Sequence, residues 1–201
     1  MPRLGLVSVA VLALVALTAA EQGFGAQSEP LPLTGRLIAA GELVGFPPDR
    51  VRTFTTPGSF LAAYQQSETP SQASRWAALL RREGFVAVAT EDLAFKATDR
   101  GGLSWAMELR SAADAHSELL KEVRSDESHG GSSRFTVDGI PAASAFRLGT
   151  SSSGGDNILF SDGRFLYFIG VGWSNGGKPA RSALIGAAQA LYRRVRGHDS
   201  T

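Results

Sequence analysis

Past the first twenty residues, the longest apolar run lies between Asp156 and Trp173, where Ile-Leu-Phe precedes Ser-Asp-Gly-Arg and Phe-Leu-Tyr-Phe-Ile-Gly-Val-Gly-Trp follows it. Aromatic and β-branched residues flank Asp162-Gly163, so the pattern predicts a β-hairpin closed by a type I′ turn with those two residues at its centre. A two-residue loop there sets Ser161 opposite Arg164 and Phe160 opposite Phe165. Ile158, Phe160, Phe165, Tyr167, Ile169, Val171 and Trp173 then share one face of the hairpin. Leu166, Phe168, Gly170 and Gly172 lie on the other. Strands apolar on both faces belong in the middle of a sheet with both sides at least partly covered, and glycines there mark places where another backbone approaches.

Upstream, Leu37, Ile38, Leu43, Val44 and Phe46 form a short apolar patch ended by Pro47-Pro48, and Ser59 is placed to cap a brief helix through Tyr64. A stronger helix signal follows. Thr69 as N-cap, Pro70 at the first helical position, apolar Ala73, Trp76, Ala77 and Leu80, and Gly84 just past the end agree with one another. Phe85 to Phe95 reads as a strand. After the turn residues Thr98 to Gly102, Leu103, Trp105, Met107 and Leu109 alternate with Ser104, Ala106, Glu108 and Arg110, the pattern of a strand with one face on the core. Ser111 and Asp114 resemble a capping box opening a helix with Ala112, Ala115, Leu119 and Val123 on one side and charges on the other.

Asp126 to Ser133 reads as a polar loop, and Phe135 to Val137 and Ala142 to Leu148 as two short strands pinched at Asp138-Gly139-Ile140-Pro141. The last element is a helix from about Pro179 to Arg196, with Ala180, Ala183, Leu184, Ala187, Ala188, Leu191 and Val195 in one stripe. Its small residues predict close docking over Gly170 and Gly172. The order of elements and their short connections predict an α+β domain: an antiparallel sheet of about five strands with helices packed mainly on one face.

The N-terminus changes the picture of where this domain works. Arg3, the apolar run Leu4 to Leu17 and the small residues Thr18-Ala19-Ala20 have the order of a secretory signal with cleavage after Ala20. Kept as an uncleaved anchor, Leu4 to Ala20 would reach about 25 Å as a helix, just short of a hydrocarbon core. The expected organisation is a signal peptide (or anchor) over 1–20, a Gly- and Pro-containing tether over 21–33, a single α+β domain over 34–197 and a polar tail over 198–201. The expected location is extracytoplasmic, secreted or in the cell envelope. Membrane contact is expected only if the N-terminal segment stays as an anchor.

Composition narrows the chemistry. A hydrophobic fraction of 43% with 19% charged residues is that of a globular chain able to bury a core. The net charge of +1 argues against a nucleic-acid partner, since phosphate binding needs clustered cations. The absence of cysteine excludes disulfides and thiolate chemistry, and with them a lipid attachment site after the apolar run.

Neither metal nor catalytic spacing is present. Asp126, Glu127 and His129 are near one another and His116 lies upstream, yet there is no His-x-x-x-His, no Glu-x-x-His and no calcium-loop pattern. No metal or cofactor is expected. The nucleophile elbow Gly-x-Ser-x-Gly does not occur, and Gly149 to Gly155 lacks the Gly-Lys-Ser/Thr ending of a phosphate cradle. His116 stands on a charged helix face and His198 in the tail, so no catalytic residue is assigned. Trp105, Tyr167 and Trp173 alternate on strands and are the candidate lining of a ligand groove, with Trp173 at a rim because polar Ser174 to Gly177 follow it.

The export signal, the tether, Gly84-Phe85 after a helix, Leu119-Leu120 within the next, and Val137-Asp-Gly-Ile-Pro141 before the aromatic hairpin resemble uncharacterised exported proteins of high-GC Gram-positive bacteria. The lipidated cysteine such proteins usually carry is absent. The resemblance implies location and fold class and transfers no catalytic residue. The expected function is an exported non-catalytic module that binds a small ligand, an envelope component or a protein partner. The competing expectation is an exported enzyme, hydrolase-like, whose site is assembled from distant residues.

Overall fold

A computed structural model describes residues 30–64, 69–94, 100–128, 132–150, 152–174 and 180–199. The signal-like segment and nearly all of the tether lie outside these residues, as does His129. Among the described residues no helix is long and apolar enough to cross a membrane.

A 3-10 turn, Leu33–Arg36, leads to strand β1 (Pro48–Phe54), helices α1 (Pro57–Tyr64) and α2 (Pro70–Arg82), and strands β2 (Phe85–Ala94) and β3 (Arg100–Leu109). Helix α3 (Ala112–Ser128) then crosses to β4 (Ser133–Arg134), β5 (Ser144–Gly149), β6 (Gly154–Asp162) and β7 (Phe165–Trp173), and α4 (Arg181–Asp199) closes the chain. The seven strands form one antiparallel sheet in the order β1-β2-β3-β7-β6-β5-β4.

The expectation of about five strands is therefore corrected to seven. β1 escapes a period-2 reading because it is a mostly exposed edge strand, Pro-Asp-Arg-Val-Arg-Thr-Phe, held by β2 on one side only. β4 is too short to carry any period.

The local signals at the helices act as their chemistry requires. At α2 the Gln72 backbone N–H donates to Thr69 Oγ1 at 3.4 Å and the Thr69 N–H donates to Gln72 Oε1 at 3.0 Å, a complete capping box, with Pro70 first in the helix. Gly84 ends this turn at φ +89°, where a side chain would be strained. At α3 the Asp114 N–H donates to Ser111 Oγ at 3.1 Å.

The β6–β7 hairpin forms with its pairing two residues away from the expected register. Asp162 pairs with Phe165, Ser161 with Leu166 and Phe160 with Tyr167, so the loop is Gly163-Arg164. Only Gly163 takes a positive φ, +54°, which fits a type II′ turn and not type I′. The shift keeps Asp162 in the strand, where its carboxylate accepts from Arg196 Nη1 of α4 at 3.1 Å. It moves the pairing by an even number of residues, so the two predicted faces survive.

Those faces carry two separate cores. On the first, Leu184, Ala187, Ala188, Leu191 and Val195 of α4 pack with Ile158, Phe160, Tyr167, Ile169 and Val171, joined by Leu37, Ile38, Leu43 and Phe46 of the N-terminal segment. On the second, Leu61 of α1, Ala77 and Leu80 of α2, and Ala115, Leu119 and Val123 of α3 pack with Val88, Trp105, Met107, Leu109, Leu159 and Leu166. Three of the four helices, α1, α2 and α3, cover the second face, so the helices do lie mainly on one face, with α4 alone on the other. Each fully buried Leu, Ile or Phe is worth roughly 1.5–3 kcal/mol, so central strands apolar on both sides recruit helices to both.

The alanine stripe accordingly packs beside Tyr167 and Ile169, and not over Gly170 and Gly172, which belong to the opposite face. Arg36 and Arg194 lock the N-terminal segment onto the α4 face. Arg36 is buried, lies 3.8 Å over the Phe165 ring and donates from Nη1 to Tyr167 Oη at 2.9 Å. Arg194 reaches across from α4 to the carbonyls of Gly35 and Leu37 and to the Glu42 carboxylate.

Candidate functional site

Cross-strand pairing on the second face places Trp105 of β3 directly opposite Phe168 of β7. Their rings stack with centroids 5.4 Å apart and planes 8° from parallel. This pair, with Met107, floors a cleft of about 490 Å³ where α1 and α2 diverge from α3. Phe60, Leu61, Trp76 and Leu80 make one wall; Glu118, Glu122 and Ser125 of α3 make the other. The volume and the aromatic lining are those of a small-molecule site.

Each wall has its own anchor. Tyr64, at the end of α1, donates to Thr90 Oγ1 at 2.7 Å, and Arg52 Nη2 donates to both Tyr64 Oη and Asp92 Oδ2 at 2.8 Å. Burial, with the nearby Asp92 carboxylate, raises the Tyr64 phenol above its ordinary pKa despite its bond to Thr90. Thr90 pairs with Trp105, so the network ties α1 to the floor of the cleft. Phe60 is held against Tyr64 with ring centroids 5.6 Å apart.

The α2–α3 junction is ionic. Glu83, just past α2, meets Glu118 and Lys121 of α3, and Lys121 Nζ donates to Glu83 Oε1 and, at 3.5 Å, to Glu118 Oε2. Burial, reinforced by the neighbouring Glu83, pushes the Glu118 carboxyl up to about 8. Partial burial also acts on Glu83, yet hydrogen bonds with Glu118 and Lys121 outweigh it and hold the carboxyl below the usual carboxylate range. The two carboxyls are thus shifted in opposite directions, Glu118 up and Glu83 down. Burial would lower Lys121, but the two carboxylates raise it above the ordinary lysine value. Burial raises Glu122 as well, with Asp126 and Glu83 adding repulsion.

Beyond Phe168 the same face of the sheet is nearly bare. Gly101, Gly172 and Gly155 are cross-strand neighbours on β3, β7 and β6, and with Gly170 they underlie a shallow hollow of about 350 Å³.

Trp105, Tyr167 and Trp173 are not brought together. Trp105 lines the cleft. Tyr167 lies on the α4 face, fully buried and hydrogen-bonded to Arg36. Trp173 is on that same face, 4% exposed, with the Arg147 guanidinium 5.4 Å from its ring and its indole N–H unpaired. His116 is exposed on α3. Among the described residues no group of three or more His, Asp or Glu is placed to hold a metal ion.

Sequence reasoning did not single out Phe168, Met107, Glu118 or Glu122 as lining residues. A signal existed for the last two: Glu118 and Glu122 are four apart and each directly precedes a residue of the apolar stripe, Leu119 and Val123, so they border the buried side of α3.

The architecture is that of an α+β domain whose antiparallel sheet is covered by helices on both faces and leaves an aromatic cleft on one. No family model matches the chain, and no curated protein sequence matches it. Among solved structures, it is similar to the extracellular domain of PknH from Mycobacterium tuberculosis, with a TM-score of 0.56 and 12% sequence identity over 85% of this chain and 99% of that one. At that identity the likeness is one of fold.

Proposed function

We propose that this protein is an exported, non-catalytic module that binds a small ligand in the cleft between α1–α2 and α3. The observation that carries the reading is the Trp105–Phe168 pair, an aromatic floor in a cleft of about 490 Å³ open between two anchored walls. Export is supported by the signal-like N-terminus and by a fold shared with an extracellular domain. The three tryptophans supply the test, since Trp76 and Trp105 line the cleft and Trp173 is buried on the other face. Titration with 2-(2-naphthyl)ethanol is expected to shift the indole N–H resonances of Trp76 and Trp105 and leave that of Trp173 in place. Shifts confined to Trp173, or none at all, would overturn the reading.

A further inference from the structure

The charges around the cleft are unevenly distributed. One wall, built from Phe60, Leu61, Trp76 and Leu80, and the floor of Trp105, Met107 and Phe168 present no ionisable group. The opposite wall presents two, Glu118 and Glu122, and both are carboxyls. Lys121, the cation between them in sequence, is engaged with Glu83 and Glu118. That leaves Glu122 half-buried, with the like charges of Asp126 and Glu83 acting on it.

A partly dehydrated carboxylate beside aromatic rings has one complementary partner, a cation attached to an apolar body. The cation recovers the Coulomb energy that water no longer supplies and gains from the negative faces of nearby indole and phenyl rings. An anionic ligand would meet Glu122 with repulsion from the same wall.

Resting on the reading of the cleft as a ligand site, we infer that its ligand is an organic ammonium, with the charged nitrogen at Glu122 and the apolar body on Trp105 and Phe168. Glu118, linked to Glu83, borders the same position and holds the α2 end of the wall in place.

The test uses three probes of one shape with the full exported chain: 2-(2-naphthyl)ethylammonium, 2-(2-naphthyl)ethanol and 2-naphthylacetate, each titrated by calorimetry. The ammonium is expected to bind about tenfold more tightly than the alcohol, and the acetate more weakly than either. Glu122→Gln is expected to erase the advantage of the ammonium over the alcohol. In the wild-type protein, added salt is expected to shrink that advantage and leave the alcohol unaffected. Equal affinity for ammonium and alcohol in the wild type, or an advantage that survives Glu122→Gln, would overturn the ammonium assignment and leave the cleft reading standing. Failure of all three probes to bind would overturn both.

Discussion

The ring of Phe168 lies over the backbone of Gly170, two residues further along the same strand. A methyl group on Gly170 would stand 2.6 Å from Phe168 Cζ and 2.9 Å from Asn157 Oδ1. The glycine is thus what lets Phe168 lean into its stack with Trp105. The cleft floor depends on a side chain that is missing.

Gly170→Ala is therefore expected to displace the Phe168 ring and destabilise the domain by about 1–3 kcal/mol, the range for overpacking a tight site. Gly172→Ala, where the nearest atom would be 3.7 Å away, is the control and should leave the urea midpoint nearly unchanged or slightly raised, since alanine suits a strand better than glycine. Equal midpoints for the two variants would show that the ring is not confined by Gly170.

Arg147 and Asp156 form a second dependency, on the α4 face. Asp156 is 1% exposed and accepts from Arg147 Nε at 2.7 Å and Nη2 at 2.5 Å, with Arg181 3.7 Å away. Arg147→Met should cost about 3–5 kcal/mol because it strands a buried carboxylate. Combining it with Asp156→Leu should recover most of that loss, because the penalty belongs to the unpaired charge and not to the absent bridge. Chemical denaturation of both variants measures the difference.

Arg194 holds the N-terminal segment through the Leu37 carbonyl at 2.5 Å, the Gly35 carbonyl, and Glu42 Oε1 and Oε2 at 3.2 and 3.1 Å. Arg194→Ala is expected to cost about 2–3 kcal/mol, the scale of charge-assisted hydrogen bonds lost from a partly buried site. Limited proteolysis should then cut first within residues 33–46, whereas the wild-type protein resists there.

The carboxyl pair at the α2–α3 junction fixes the sign of a pH effect. Glu118 titrates near 8 when folded against 4.5 ordinarily, and Glu91, buried near Arg194 and Glu42, near 7. Below pH 4.5 both groups are protonated in the folded and unfolded chain alike, and the contribution is fully present. As pH rises the unfolded chain releases these protons first, so stability is lost progressively until the folded values are passed. The melting temperature should fall between about pH 4.5 and 8, and Glu118→Gln should flatten the upper part of that slope. A slope unchanged in Glu118→Gln would place the proton elsewhere.

Much of the local structure was legible from residues a few positions apart. Thr69, Pro70 and Gly84 mark the ends of α2 because each acts on backbone hydrogen bonding or dihedral angles within one turn. The β6–β7 strands were legible from their aromatic and β-branched content, and their faces from the two-residue period. The turn was less so, because Asp162-Gly163 and Gly163-Arg164 both supply a glycine, and the contact of Asp162 with Arg196 is made 34 residues away.

The sequence by itself determined the helices, the central strands and which of their residues share a face, because those follow from periodicity and capping along one stretch of chain. Only the tertiary structure decided which helices cover which face, that Trp105 meets Phe168, and that Glu118 and Glu122 border a cleft. These depend on β3 pairing with β7 across the 55 residues between Leu109 and Phe165 and on α3 crossing the second face. No local pattern records such a pairing. It is selected by the joint burial of two apolar surfaces, which exist as surfaces only once the sheet has formed.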